Sequence, residues 1–398
     1  MNTAGEPKLW NRNFVAVCFS SFFLFMTFYI LAVTLPVFVT ETLHGGQQQV
    51  GLIMTSFIIS TVILRPLTGK WLDQYQPRWI LLFGLLLFSA CTAAYMYTEG
   101  YLPLLLLRFI HGISFGIAAT ATGAIAVELV PENRKGEGVG YFSLFMSLAM
   151  VVGPFLGLTI ITYSSHWVLF IVCIAFGLMA LSCGVMIRIP HKARSVRTAQ
   201  PTVKGWRGYI EPKALPISVT GSFLAFSYGA ITTFLSVYAK AIGLGKHASY
   251  FFMVFAAMIV ISRPFTGKWF DRSGPNTLVY PGVLLFTAGM ITLSFANSAA
   301  IFFTAAAMLG LGFGALLPSF QTIAIQAAPL HRRGLATGTY FLLFDLGYGL
   351  GSYVLGVVAD RTNYHTMYFV AGLVVACSAA LYYVLHHRKQ IVPAALTE

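Results

Sequence analysis

An all-α membrane protein, with twelve transmembrane helices in two pseudo-symmetric six-helix bundles, is predicted by three features of the sequence. The chain is starved of charge, its apolar residues fall in long runs, and one half repeats the other. Of 398 residues, 57% are hydrophobic and only 9% charged. A soluble domain carries about 25% charged residues. A helix that crosses the bilayer core needs about 20 apolar residues. The runs are continuous, whereas the strands of a membrane barrel alternate over about ten residues. A helix pairs its own backbone groups, which a hydrocarbon solvent demands.

The runs follow in order. Lys8 and Arg12 precede the first, 13–40, which is too long for a removable leader and is expected to remain as a helix. The second, 48–72, carries Lys70 near its end, and Arg78 opens the third, 79–98. The fourth, 101–127, and fifth, 138–163, are separated by Arg134 and Lys135, and the sixth, 166–187, closes the first half. The second half holds runs at 214–239, 247–270, 277–296, 299–327, 335–359 and 365–386. Cys18, Cys91, Cys173, Cys183 and Cys377 all fall inside runs without paired spacing, as small core or lipid-facing residues do.

A net charge of +13 invites a nucleic-acid partner, and the positions of the charges exclude it. Of the 25 Lys and Arg, only Lys240, Lys246 and Arg361 sit on one set of connections, while Arg65, Arg108 and Arg263 lie inside runs. All the rest fall on the opposite set, the positive-inside pattern of a membrane protein. Both termini and the basic segment 188–213 are therefore expected to face the cytoplasm. That segment is the one long polar stretch and is expected to link an N-terminal bundle (1–187) to a C-terminal bundle (214–398), with a short surface helix as an option.

The halves repeat at an offset of 198 residues. ILRPLTGKWLDQ at 63–74 matches ISRPFTGKWFDR at 261–272 at eight of twelve positions. The same offset pairs Gly112 with Gly310, Phe115 with Phe313, Gly116 with Gly314, Pro131 with Pro329, Arg134 with Arg332 and Gly153 with Gly351. Parallel six-helix repeats about an axis along the membrane normal are a transporter architecture, with the substrate site near the midplane.

GKWLD at Gly69–Asp73 and GKWFD at Gly267–Asp271 resemble the signature loops of the major facilitator superfamily. The family places them between helices 2 and 3 and between helices 8 and 9, with basic residues following, here Arg78 and Arg272. The glycine would permit a turn at the helix end. The aspartate would meet a helix N-terminus or a basic partner, for which Arg134 and Arg332 are placed. This clamp gates the family's transport cycle. Gln74 and Gln76 stand where a basic residue and a glycine are usual.

Arg108, with His111 and Gly112 after it, resembles the family's helix-4 motif. An intramembrane arginine costs roughly 3 kcal/mol on insertion scales, so it faces protein or water. In proton-linked members it is tied to coupling; the alternative is an arginine that ties neighbouring carbonyls together. His111 is either a second titratable group or a hydrogen-bonded packing residue. Gly153-Pro154-Phe155-Leu156-Gly157 resembles the helix-5 motif of the family's antiporters, with Ala149 and Leu158 replacing two usual glycines. Its proline bends the helix and its glycines admit a neighbour, as in any close-packed bundle.

Asp345 is the one carboxylate near the middle of an apolar run. It is either a proton or cation carrier or a structural hydrogen-bonding aspartate. At the 198 offset its counterpart is Ser147, and that of Arg108 is Ala306. Groups present in one half only are expected to serve the specific function. Glu41 and Glu128 sit at helix ends as solvated caps. Aromatics such as Phe28, Tyr29, Phe226, Tyr228, Phe344 and Tyr348 face lipid, other helices or an apolar cavity.

No phosphate-binding loop, metal-ligand spacing or nucleophile motif is present, so no cofactor and no enzymatic activity are expected. An ion gradient is the remaining energy source. The chain looks most like bacterial drug:proton antiporters. Its expected partners are a small, amphipathic substrate, protons and the lipid bilayer, and a monomer is expected. The alternatives are proton-coupled uptake of a metabolite or sugar, and a receptor built on a transporter scaffold.

Overall fold

The computed structural model describes residues 9–131, 134–188, 209–329 and 332–388, without the side chains of Asp73, Lys135, Glu137, Val139, Ser147, Arg263, Pro264, Lys268 and Asp271. The linker thus lies mostly outside the described residues. Among those described are twelve helices long and apolar enough to cross a membrane, and no strand. They are α1 (Arg12–Glu41), α2 (Gln47–Gln74), α3 (Pro77–Ala94), α4 (Tyr101–Leu129), α5 (Lys135–Tyr163), α6 (His166–Met186), α7 (Leu215–Ala241), α8 (Ala248–Ser273), α9 (Asn276–Ser294), α10 (Ala299–Ala327), α11 (Arg333–Arg361) and α12 (Tyr364–Tyr382). Each predicted run coincides with one helix to within a few residues. At two ends the last turn changes pitch: α3 relaxes into a 3-10 turn at Tyr95–Tyr97, and α12 into a π turn at Tyr383–His387. Pro77 begins α3, where its missing N–H costs nothing. Asn363 caps α12 by accepting from the Thr366 N–H at 2.8 Å.

Large apolar side chains stand exposed at helical spacing, for example Trp79, Phe83 and Leu86 on α3 and Leu102, Leu106 and Phe109 on α4. Such stripes suit hydrocarbon as the solvent, and helix association then depends on close packing rather than on hydrophobic burial.

The chain forms two compact units, one of Met1–Thr34 with Ile59–Ala199 and the other of Leu35–Ile58 with Gln200–Glu398. In the first, a Cβ at Gly84 of α3 would lie 2.9 Å from the Ala118 N of α4, and one at Gly116 would lie 2.9 Å from the Thr61 O of α2. In the second, a Cβ at Gly282 would lie 3.0 Å from Leu316, and one at Gly314 would lie 3.1 Å from the Ile259 Cα. Every member of the second set is 198 residues beyond its counterpart. The repeat in the sequence is therefore a repeat of packing contacts within each unit. The same holds for rings: Phe88 and Phe115 have centroids 6.3 Å apart, and Phe286 and Phe313 6.1 Å.

The segment 35–58 groups with the second unit for a visible reason. A Cβ at Gly51 would lie 2.4 Å from the Ser352 O of α11, and Thr55 Oγ1 donates to the Gly349 O at 2.7 Å. The Gln47 N–H donates to Asp360 Oδ1 at 3.2 Å, and Glu41 forms an ion pair with Lys240. Both charged groups of that pair are half-exposed, so it adds about 0–1 kcal/mol.

Candidate functional site

Arg108 is fully buried about two turns into α4 and is the largest such side chain among the described residues. Its surroundings come from α3, where Phe88, Thr92 and Tyr95 recur at the spacing of one helical face. The Tyr95 hydroxyl lies beside the Arg108 guanidinium and 3.0 Å from His111 Nδ1. His111 Nε2 lies 3.3 Å from Thr92 Oγ1, which itself donates to the Phe88 O at 2.8 Å. The Phe88 ring packs on the imidazole at 4.3 Å, and Phe170 stacks on Tyr95 at 5.9 Å. The sequence picks out Arg108 and His111; Tyr95 and Thr92 it does not. A threonine and a tyrosine near a helix end are common in any span, and only the packing of α3 on α4 brings them to the charge.

Asp345 lies 12 residues into α11 and is neither sealed nor fully exposed. Gly347 and Gly351 of the same helix press on α7, where a Cβ at each would sit 2.2 and 2.1 Å from the Ser222 and Phe226 carbonyl oxygens. Asp345 is two residues from Gly347, so it leaves α11 on another side. It shares a face with Gly349, one turn on, which meets Ile58. Polar groups continue along the α7–α11 seam: Thr232 Oγ1 donates to Tyr348 Oη at 2.8 Å, and Thr233 Oγ1 and Ser352 Oγ are 3.1 Å apart. Arg108 and Asp345 belong to different units.

In the helix-5 motif, a Cβ at Gly153 would lie 2.8 Å from Tyr29 Cβ, and one at Gly157 3.1 Å from Ile30 and Thr34. These glycines, with Pro154 between them, lay α5 closely against α1.

The signature loops require a correction. Gly69 and Gly267 are not at turns, because α2 continues to Gln74 and α8 to Ser273. A Cβ at Gly69 would meet nothing within 4 Å. The turn after α8 is made instead by Gly274, at φ +78°, whose N–H bonds the Phe270 O. After α2, the Tyr75 N–H bonds the Trp71 O and Pro77 starts the next helix. The side chains of Asp73 and Asp271 lie outside the described residues. Arg78 donates to the Val185 O at 3.2 Å, tying α3 to the end of α6. Arg134 stands at the N-terminus of α5, and Arg272 is exposed at the end of α8.

Arg332 has an unforeseen carboxylate. It forms an ion pair with Glu211, which is only 3% exposed. The Glu211 N–H donates to Thr339 Oγ1 at 2.8 Å, and its carboxylate accepts from the Lys213 N–H at 3.2 Å. The end of the linker is thereby pinned to the start of α11. Burial pushes the Glu211 carboxyl up, but the hydrogen bonds from Arg332 and the Lys213 N–H, with both positive charges, outweigh it and hold it below the usual range. A carboxylate depressed in this way stabilises the fold above its unfolded pKa of about 4.3, and that contribution disappears as pH falls through the lower folded value. Glu211→Gln is expected to lower the melting temperature at pH 7, with a cost of up to about 3 kcal/mol, and to leave a smaller difference from wild type near pH 4. Melting of both proteins in detergent across that range measures it; equal curves at pH 7 would show the pair to be idle.

Comparisons with known proteins place this arrangement. A family model described as Major Facilitator Superfamily matches residues 17–352 and 264–397. The chain is 22% identical to the Staphylopine export protein of Staphylococcus aureus, over 82% of this chain and 84% of that protein. It is 23% identical to the Quinolone resistance protein NorA of Staphylococcus aureus, over 96% of this chain and 98% of that protein. Among solved structures, a bacterial homolog of the human lysosomal transporter Spinster, inward-facing and unoccupied, superposes with a TM-score of 0.79 at 15% identity, covering 96% of this chain and 98% of that one. The nucleoside transporter NupG superposes with a TM-score of 0.73 at 15% identity, covering 93% and 98%.

Proposed function

This chain belongs to the Major Facilitator Superfamily, and from that premise we propose that it exports a small amphipathic molecule in exchange for protons. It is a multi-pass membrane transporter of a small molecule and not an enzyme. Export is supported by two relatives, one named for staphylopine export and one for quinolone resistance. The observation that carries proton coupling is Asp345, a partly buried carboxylate inside a membrane helix whose repeat counterpart is a serine. In this reading Asp345 takes up and releases the proton, and Arg108 with His111 tunes the step from the first half. The residues Gly69, Asp73, Gly267 and Asp271, with Arg78, Arg134, Arg272 and Arg332, serve the gating ends, and Gly153-Pro154-Gly157 the helix-5 bend. The chain works as a monomer in the bacterial plasma membrane with both termini in the cytoplasm, and 188–213 links bundles 1–187 and 214–398.

One proton crossing 100 mV supplies about 2.3 kcal/mol, enough to concentrate a solute about fifty-fold. The direction is tested in everted membrane vesicles acidified inside. An antiporter lets protons out and carries a fluorescent quinolone or ethidium inward, so accumulation is expected, and an uncoupler abolishes it. Loss of preloaded probe under the same gradient would establish uptake by symport instead.

A further inference from the structure

We infer that Tyr95, His111 and Thr92 are positioning residues for Arg108, forming one oriented hydrogen-bond chain in a core that the fold would otherwise fill with apolar side chains. The inference rests on the reading that Arg108 takes part in coupling.

The direction of the chain follows from counting protons. The Thr92 hydroxyl has a single hydrogen, and it goes to the Phe88 O at 2.8 Å. Toward His111 Nε2, at 3.3 Å, Thr92 can therefore only accept, so Nε2 carries the ring proton. Nδ1 is then the bare nitrogen and accepts from the Tyr95 hydroxyl at 3.0 Å. With its hydrogen spent, the Tyr95 oxygen can meet the neighbouring Arg108 only as an acceptor, which is what a guanidinium requires. Every link points from the cation toward the Phe88 carbonyl. Reversing any one would leave two donors or two acceptors facing each other. The chain thus fixes both the imidazole tautomer and the lone pair presented to Arg108.

The second half supplies a control within the molecule. At the 198 offset, Thr92, Tyr95, Arg108 and His111 correspond to Met290, Leu293, Ala306 and Leu309, all four fully buried. The scaffold around the two sites is alike. Gly84 with Ala118 has its copy in Gly282 with Leu316, and Phe88 with Phe115 in Phe286 with Phe313. The same helix pair therefore closes on an apolar core in one half and on a charged, hydrogen-bonded one in the other. Buried polar networks replaced by well-packed apolar residues are often neutral or stabilising. The polar version is thus retained for what Arg108 does, not for the packing of α3 on α4.

The test transplants the apolar core. The variant Thr92→Met, Tyr95→Leu, Arg108→Ala, His111→Leu is expected to insert and to melt at or above the wild-type temperature, with gradient-driven ethidium transport lost. Three single variants resolve the positioning role. Tyr95→Phe and His111→Leu are each expected to slow gradient-driven transport about tenfold and to move its pH profile, with the KM for ethidium counterflow unchanged. His111→Gln, which can still donate and accept, is expected to restore most of the rate. A graft that fails to insert overturns the claim that the core is interchangeable. Tyr95→Phe and His111→Leu with wild-type rates and pH profiles overturn the positioning role alone. A wild-type protein that moves no probe against a gradient removes the transport reading, and this inference with it.

Discussion

Asp345→Asn is expected to abolish proton-driven transport while leaving the protein folded, inserted and competent for substrate counterflow. Asparagine matches the size of aspartate and keeps a carbonyl acceptor, so the packing of α11 on α7 through Gly347 and Gly351 is untouched. What it cannot do is bind and release a proton. The expected loss is at least about a hundredfold in the gradient-driven rate, because general proton transfer by a positioned group is worth about 10²–10⁴-fold. Counterflow of labelled ethidium against unlabelled ethidium needs no net proton movement, and the variant should sustain it. Proteoliposomes with an imposed pH step measure both modes on one preparation. Gradient-driven rates equal to wild type would remove Asp345 from the mechanism. Loss of both modes with normal melting would instead make the aspartate a substrate contact.

The fold was legible because its determinants are local and repeated. An apolar run about 20 residues long has one low-energy state in a bilayer, and the 198-residue offset fixes which helices must be equivalent. Several glycines that match in sequence, such as Gly116 and Gly314, sit at backbone crossings. The site was legible only where a residue violates its surroundings. Arg108, His111 and Asp345 stand out because charge or polarity inside a run is costly. Their partners do not. Thr92 carries the usual bond of a helical threonine to the carbonyl four residues back, and nothing in that pattern signals that it also meets His111. Glu211 reads as one acid in a basic linker, and only the fold brings it to Arg332. The signature glycines mislead for another reason. A glycine near the end of a run suggests a turn, yet Gly69 stays helical because the hydrogen-bonded ladder continues through Gln74. The actual turn glycine, Gly274, at positive φ, is the motif glycine that Gln76 replaces in the first half.

That distinction separates glycines at backbone crossings from those in open space, and Gly351→Ala against Gly69→Ala makes the separation measurable. At Gly351 a Cβ would sit 2.1 Å from the Phe226 carbonyl oxygen, and at Gly347, one turn away, 2.2 Å from that of Ser222. Both obstacles are helix backbone, which cannot rotate aside as a side chain can. Insertion of a methyl must therefore separate α11 from α7 along the seam that also holds the Thr232–Tyr348 and Thr233–Ser352 contacts. Overpacking of this kind costs about 3 kcal/mol or more, and with backbone on both sides the higher figure applies. Gly351→Ala is expected to give little monodisperse protein and a strongly lowered melting temperature. Gly69 has open space where its Cβ would be, and alanine there gains up to about 1 kcal/mol of helix propensity. Gly69→Ala is therefore expected to melt at or slightly above wild type. If it nevertheless transports slowly, the glycine is needed for a state of the cycle other than this one, in which that space is filled. Wild-type melting of Gly351→Ala would mean that α7 and α11 do not approach as closely as their carbonyls indicate.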